Sequence, residues 1–501
     1  MKILIASAEV VPFAKTGGLA DVAGALPKAL SSLGHDVKVI MPKYKMIDNG
    51  KFDLDKIYDG IEVEIAGRKE FADVYEGAIP GTDVTVYFIA NEKYFGRDGL
   101  YQDKGVDYPD NCERFSFYCR AAMEVMKKIG WKPDIIHAND WQSALIIMYA
   151  KTLYKDDPFF AHAASVYSIH NMGYQGTFPS DQLPITGLGR EYFNPDSLEF
   201  YGKIALTKAG FVYADIINTV SPTYAHEIQT AEFGYGLEGL IQSRKKDVYG
   251  IVNGIDYELW DPATDTNIAV KFNPKRFSLK EVNKRSLQAK NGLPQTYVPV
   301  IGIISRLADQ KGFDILAQAI EGIMQMNLQI ILLGTGEPKY HELFKEMKKK
   351  YPDHLGLNLG FDAALAQLIY AGSDMFLMPS RYEPCGLGQL ISYKYGTVPI
   401  VRKTGGLADT VTDGKTGFVF EEYSAAALLD AIKRAVDAYK DRNKWQALAV
   451  HDMGLDYSWN ASAKKYVELY EKAVEKVPEK PKRREKHEAN PSVYTDRSAA
   501  W

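Results

Sequence analysis

Short apolar runs alternate with longer amphipathic stretches along most of this chain. In the first half, runs at 2–8, 37–41, 84–90, 134–137, 165–169, 216–220 and 248–252 read as buried strands. Between several of them, 19–33, 112–128 and 141–154 read as helices with one apolar face. Residues 61–77 break the scheme and read as a small hairpin inserted at a sheet edge. The second half repeats the alternation. Strands are expected at 298–305, 328–333, 355–359, 374–378, 398–401 and 418–420, and helices at 313–326, 340–350, 363–371, 425–439 and 461–474. Strand-helix alternation of this kind predicts mostly parallel sheets with helices on both faces. The expected boundary lies near 257–265, where Trp260-Asp261-Pro262 interrupts regular structure. That divides the chain into 1–257 and 258–476, two doubly wound α/β domains with a deep crevice between them. From Val477 to residue 501, Pro478, Pro481 and the run Lys482-Arg483-Arg484 predict a disordered tail.

The heptapeptide Lys15-Thr16-Gly17-Gly18-Leu19-Ala20-Asp21 recurs unaltered as Lys403-Thr404-Gly405-Gly406-Leu407-Ala408-Asp409. Each copy follows a strand-like run. Strand, glycine pair and helix are how a fold aims backbone N–H groups and a helix N-terminus at an anion. A glycine pair also simply lets a strand turn into a helix. Two copies, one in each half, predict two related domains whose loops face a shared cleft.

Composition narrows the reading without deciding it. The chain of 501 residues is 46% hydrophobic and 25% charged, a globular profile. Lys and Arg number 60 against 64 Asp and Glu, so no global basic field points to nucleic acid, and an anionic ligand must be met by local charge. Cys112, Cys119 and Cys385 contain no C-x-x-C pair and make no disulfide framework, which favours a reducing cytoplasm. The apolar start ends at Glu9, too short for a signal peptide, and no apolar run is long enough to span a membrane. The aromatics, 32 Tyr, 22 Phe and 6 Trp, fit either core packing or a cleft that stacks sugar rings.

Polar clusters sit where the predicted strands end. They are Asp134-Ile-Ile-His-Ala-Asn-Asp-Trp141, Ser165 to Gly176 with His170 and Asn171, Ile304 to Gly312 with Arg306 and Lys311, and Pro379 to Gln389 with Glu383-Pro384-Cys385-Gly386-Leu387. A strand-end histidine is often structural, and two cations five residues apart often belong to a solvated face. Here every cluster falls at the end of a strand where this architecture opens its cleft.

These motifs, with Val252-Asn253-Gly254-Ile255-Asp256 and the first Lys-Thr-Gly-Gly phrase, stand in an order and spacing that resemble bacterial glycogen synthase and its kin, plant starch synthase. The resemblance covers roughly residues 1 to 475 and leaves the tail out. It implies a GT-B fold and a retaining glucosyltransferase, without metal or other cofactor, that moves glucose from ADP-glucose to the non-reducing end of a 1,4-α-glucan such as glycogen. The first domain would be the acceptor side and the second the nucleotide-sugar side, with the last helix packing back on the first. Lys15 and Gly18, with Asp21 in the same loop, would meet the donor diphosphate from one side, and Arg306 and Lys311 from the other. Glu383 and the backbone of Cys385, Gly386 and Leu387 would grip the glucose hydroxyls. His170 and Asp140 would lie against the reacting sugar, with Tyr101, Asn171 and Asn253 as further substrate contacts. Gly388 departs from the family where some members carry a side chain. The expected partners are small molecule and glucan, with no nucleic acid and no membrane; the oligomeric state stays open. Two other readings stay open: a GT-B transferase with another nucleotide-sugar or acceptor, which the paired cations also fit, and a glucan-binding homologue without catalysis, which would not need them.

Overall fold

A computed structural model of the chain describes residues 1–477, so the expected tail beyond Val477 lies outside the described residues. Two large sheets organise it. The first holds nine strands: β1 (Lys2–Ala6), β2 (Asp36–Pro42), β3 (Asp55–Ile65), β4 (Arg68–Ala78), β5 (Thr85–Ala90), β6 (Ile135–Asn139), β7 (Ala164–Ile169), β8 (Ile216–Thr219) and β9 (Val248–Gly250). Their spatial order is β9-β8-β7-β6-β1-β2-β5-β4-β3. All pairings are parallel up to β5; β4 and β3 then add an antiparallel hairpin at the edge. That hairpin is longer than expected, starting at Asp55, and it extends the main sheet.

The second sheet holds β10 (Val300–Ile304), β11 (Gln329–Gly334), β12 (Leu355–Leu359), β13 (Met375–Met378), β14 (Val398–Arg402) and β15 (Phe418–Phe420), all parallel, in the order β12-β11-β10-β13-β14-β15. Both sheets therefore reverse direction once: the first between β1 and β6, the second between β10 and β13. At such a switch point the two neighbouring connections run to opposite faces, and a crevice opens at the carboxyl ends of the strands. The central parallel strands are buried along nearly their whole length because helices cover both faces, which is why they read as continuous Val, Ile and Leu runs, whereas the edge hairpin β3–β4 is largely exposed.

The chain passes between the halves twice, and the two passages lie side by side. Ile255 N donates to Tyr457 O (2.8 Å), and Ser462 Oγ donates to Val252 O (2.8 Å). Beyond the second passage, the helix Trp459–Glu475 packs on the first sheet and on the helix Gly18–Ser32. Its Tyr470 hydroxyl meets His137 Nδ1 at 2.8 Å, and its Tyr466 hydroxyl accepts from Asn218 Nδ2 at 3.3 Å. His137 is wholly buried and also contacts Ser168 Oγ (2.7 Å), so this strand-end histidine is a structural tie. Several short helices escape the periodicity reading, among them Pro222–Glu227, Gly388–Lys394 and Arg442–Asp452. Six or seven residues are too few to display a 3.6-residue period, and the third carries almost no apolar stripe.

The second Lys-Thr-Gly-Gly copy corrects an expectation. It does not open onto the cleft. Thr404, Gly405 and Gly406 are buried against the first half, where Thr404 Oγ1 (3.0 Å) and Gly405 N (2.9 Å) both donate to Glu227 Oε1. In return Asp409 accepts from Thr223 N (2.9 Å) and Thr223 Oγ1 (2.7 Å) at the start of the helix that ends in Glu227. The N–H group this loop offers to an anion is given to a resident carboxylate, so the repeat fastens the two halves together.

Candidate active site

The residues singled out in the sequence collect into two groups, one at the switch point of each sheet. In the second half, the loop after β10 carries Arg306 and Lys311, and the loop after β13 carries Glu383, Cys385, Gly386 and Leu387. A cavity of about 220 Å³ lies between these loops, lined among others by Arg306, Lys311, Ser380, Glu383, Gly386 and Leu387. Gly312 makes the approach of the two loops possible. Its φ is +79°, and a Cβ there would stand 1.9 Å from Pro379 O. That close crossing seats Lys311 opposite Glu383.

Lys311 Nζ donates to Glu383 Oε2 at 2.6 Å, and Ser380 Oγ donates to the same oxygen at 3.0 Å. The Glu383 side chain is 9% exposed and Lys311 24%, so the pair faces the cavity and is not a solvated surface contact. Arg306 is exposed, with Nη2 on Gln310 Oε1 at 2.9 Å, which holds the guanidinium at the cavity mouth. Gly388 lines the cavity floor, and a Cβ there would meet Phe376 Cε1 at 2.7 Å, so this chain leaves no room for the side chain some relatives carry. Cys385 points away from the cavity, into the apolar core shared with the first half, and burial pushes its thiol up to about 12. Asn253 is buried with its side-chain oxygen unpartnered.

In the first half, Asp140 follows β6 at φ +54° and starts the helix Asp140–Lys151. Its Oδ1 accepts the backbone N–H of His170, after β7, at 2.7 Å. Burial lifts the Asp140 carboxyl to about 7, well above the usual carboxylate range. His170 Nε2 meets Asn139 Oδ1 at 3.0 Å, while Asn139 Nδ2 donates to Ala6 O. Asn139 thus fixes the ring as an Nε2–H donor with Nδ1 bare. Burial lowers His170 to about 4, so at neutral pH it is an uncharged hydrogen-bonding group. Asn171 turns back on its own loop, accepting from Gly173 N at 2.9 Å.

This titration predicts a pH dependence of stability. Unfolded, a histidine binds its proton near 6.5; folded, His170 does so near 4. Between those values the unfolded chain carries the extra proton, so His170's contribution to folding stability falls as pH falls from 6.5 to 4, while Asp140, whose carboxyl holds its proton up to about 7 when folded, contributes in the opposite sense. His137, held low by burial, adds to the slope from His170. Denaturant unfolding across that window should show a shallower slope in His170→Gln than in wild type; an unchanged slope would place the titration elsewhere.

The first Lys-Thr-Gly-Gly loop lies beside Asp140 and is solvent-exposed. Sequence reasoning missed the residue that shapes it. Glu9, 3% exposed, accepts Thr16 N (2.5 Å) and Gly17 N (3.1 Å) on Oε2, and Thr16 Oγ1 (2.6 Å) and the Tyr101 hydroxyl (2.7 Å) on Oε1. One carboxylate therefore positions both the glycine loop and Tyr101. The signal was present: Glu9 is a lone carboxylate inside the apolar stretch 3–14. With Thr16 and Gly17 committed to Glu9, Gly18 N remains as the loop's outward donor at the helix start. Lys15 and Asp21 pair across the loop at 2.7 Å, and burial raises Asp21 against the lowering effect of Lys15.

The loop that carries Glu383 is tied to the first half, where Ser221 Oγ donates to Pro384 O at 2.7 Å. Tyr382, beside Glu383, also approaches the first half: its ring lies 6.4 Å from that of Phe233. The arrangement offers two cations and a carboxylate on one wall, and an uncharged histidine, a carboxyl group and a helix N-terminus on the other. It suits a dianionic group joined to a polyhydroxyl ring. Among the described residues no helix is long and apolar enough to cross a membrane.

Comparison with known proteins agrees with this arrangement. Residues 2–243 match the model of the starch synthase catalytic domain, and 283–450 match that of glycosyl transferases group 1. A glycogen synthase of Desulforudis audaxviator is 48% identical over 495 residues, spanning 96% of this chain and 98% of that protein. One from Thermotoga maritima is 47% identical over 489 residues, 95% of this chain and 100% of the other. Among solved structures, the catalytic domain of starch synthase IV from Arabidopsis thaliana, bound to ADP and acarbose, superposes with a TM-score of 0.86 at 36% identity, covering 95% of this chain and 99% of that one. A sucrose-phosphate synthase from Thermosynechococcus elongatus shares the fold, with a TM-score of 0.57 at 17% identity.

Proposed function

The chain belongs to the glycogen and starch synthase family of GT-B glucosyltransferases, which elongate glucans, and from that premise we propose that its donor is ADP-glucose and its acceptor the non-reducing end of a 1,4-α-glucan. The observation that carries the reading is the Lys311–Glu383 pair at 2.6 Å, which lines one cavity with Arg306. We divide the chain at 257/258, with 258–476 forming the donor side and the last helix returning to the acceptor side.

In this reading Arg306 and Lys311 face the donor diphosphate from the second half, and Gly18 N–H with Lys15 from the first. Two fixed cations hold the charge that grows as the glycosidic bond to phosphate breaks. Glu383, relieved of part of its ion pair when phosphate draws Lys311 away, accepts hydrogen bonds from the glucose hydroxyls, aided by the Gly386 and Leu387 backbone. His170 approaches the sugar as a neutral group. Tyr101, Asn171, Asn253 and Asp21 complete the walls.

Retention at the anomeric carbon usually calls for a carboxylate nucleophile. Neither carboxyl suits that role. Glu383 is tied to Lys311 and Ser380, and Asp140, its carboxyl raised by burial, holds the His170 N–H. We therefore favour front-face attack, in which the leaving phosphate takes the acceptor's proton. A donor screen tests the function: labelled glucose should enter glycogen from ADP-glucose in preference to UDP-glucose, and ADP release should require glycogen. Equal use of UDP-glucose would overturn the assigned base. ADP release indifferent to glycogen would overturn the acceptor.

A further inference from the structure

The segment 219–224 touches both groups of the candidate site, although none of its residues lines the cavity at Glu383. Thr219 closes β8, Ser221 caps the helix Pro222–Glu227, and Tyr224 lies in that helix's first turn. Thr219 Oγ1 donates to Ile169 O at 2.7 Å, and the Tyr224 hydroxyl accepts from Met172 N at 3.0 Å. Ile169 and Met172 stand on either side of His170-Asn171, so the two contacts bracket the histidine along the chain. Between them in sequence, Ser221 Oγ donates to Pro384 O at 2.7 Å, on the residue that follows Glu383. One short piece of the first half thus holds the backbone beside His170 and the backbone beside Glu383.

The residue types suit the task. Ser221 Oγ accepts Tyr224 N at 3.1 Å, which caps the helix. A hydroxyl has two lone pairs and one proton, so with Tyr224 N on a lone pair the proton remains for Pro384 O. Pro222 takes the first helical position, where a missing N–H is no loss. Gly250, at the end of β9, leaves room for the turn: a Cβ there would stand 2.1 Å from Ser221 O. Thr219 and Ser221 are wholly buried and Tyr224 nearly so, and water does not compete for these contacts. Further along the same helix, Thr223 and Glu227 hold the second Lys-Thr-Gly-Gly loop. The segment is therefore rooted in the first sheet at its start and fastened to the second half along its length.

Such a link has a use in the site. His170 and Glu383 stand at the ends of strands in different sheets, and in the proposed reading both act on one sugar ring. The distance between them depends on what joins their loops. We propose that Thr219, Ser221 and Tyr224 are positioning residues for glucosyl transfer, which together fix the spacing between His170 and Glu383 across which a single sugar ring is held. The proposal rests on the glucosyltransferase reading above and deepens it. The three residues act on the rate through the two loops, where a displacement of about 1 Å is costly.

Three substitutions cut the link at different points. Tyr224→Phe removes only the hydroxyl that holds Met172 N, Ser221→Ala removes the one that holds Pro384 O, and Thr219→Val keeps the shape of the side chain without its hydroxyl. Ser221→Ala should melt lowest, because it also loses the helix cap. Well below the melting temperature, each should lower kcat with glycogen roughly tenfold. The affinity for ADP, measured by calorimetry, should stay within about twofold of wild type, because Arg306, Lys311 and Lys15 stand on other loops. The double variant Ser221→Ala with Tyr224→Phe should lose little more than the worse single, since either cut releases the same spacing. Wild-type kcat in all three single variants would overturn the proposal. So would ADP binding lost in step with kcat, which would reduce the segment to a general support of the fold. Losses that multiply to about a hundredfold in the double variant would overturn it too, because the contacts would then act separately. A wild-type protein that transfers glucose to no glucan would instead sink the functional reading on which the spacing depends.

Discussion

Lys311→Ala should lower kcat by about a hundredfold, the loss of ~3 kcal/mol of transition-state stabilisation expected when one preorganised electrostatic partner goes. The direction follows from where charge develops. With the proposed ADP-glucose donor, negative charge builds on the diphosphate as ADP departs, and a fixed ammonium should attract it more strongly in the transition state than in the ground state. The effect therefore falls on kcat and not only on KM. The pairing with Glu383 adds a second consequence. Removing Lys311 leaves a carboxylate that is 9% exposed with Ser380 as its remaining partner, so part of the loss comes from a misplaced, uncompensated Glu383. Lys311→Ala and Glu383→Ala should accordingly be far from additive in the double variant. Lys311→Arg should recover only part of the rate, because a planar guanidinium cannot occupy the same point between Glu383 and phosphate. Steady-state kinetics with glycogen decides. If Lys311→Ala kept kcat within about twofold, the residue would belong to a solvated face and leave the site.

Glu9→Ala should cost a comparable amount although Glu9 touches no substrate in this account. The variant frees Thr16 N, Gly17 N, Thr16 Oγ1 and the Tyr101 hydroxyl at once. Water can solvate these donors, but it cannot hold the loop in the one shape that the proposed donor contacts of Gly18 N–H and Lys15 require. A displacement of about 1 Å at such a position costs on the order of a hundredfold in rate. Glu9→Gln is the sharper test. Its Oε1 could still accept from Tyr101 and Thr16 Oγ1, but its amide would then point donors at the N–H groups of Thr16 and Gly17. Glutamine should therefore be no better than alanine, despite its near-identical size. A glutamine variant with wild-type kcat and KM would show that the carboxylate is a passive core residue. Melting temperatures measured alongside would separate a displaced loop from a lost fold.

The strands and their order of appearance were legible because parallel strands covered on both faces are uniformly apolar, and that pattern survives without any knowledge of tertiary structure. The candidate residues were legible for a related reason: Arg306, Lys311, Glu383, Asp140 and His170 each stand just after such a run. What the pattern could not convey is pairing. Nothing in the spacing of Lys311 and Glu383, 72 residues apart, says that they share a proton-bearing contact. Nor does it separate the two copies of Lys-Thr-Gly-Gly. Their residues are identical; the partners differ, Glu9 from its own half for one and Glu227 from the opposite half for the other. Short helices such as Pro222–Glu227 were illegible because a turn and a half has no period to detect. His137 looked like a site residue because it ends a strand, yet a tyrosine from the last helix occupies its ring nitrogen, a contact made across 333 positions of chain.

The central claim is that one donor molecule is gripped from both halves. Calorimetric titration of ADP into wild type, Lys15→Ala and Lys311→Ala measures this directly, because it needs no acceptor and no turnover. Both variants should bind ADP more weakly, each by roughly tenfold, the loss of about 1.4 kcal/mol of charge-assisted contact from one wall of the cleft. Weakened binding in Lys311→Ala together with wild-type binding in Lys15→Ala would contradict the claim, and would confine the diphosphate to the second half alone.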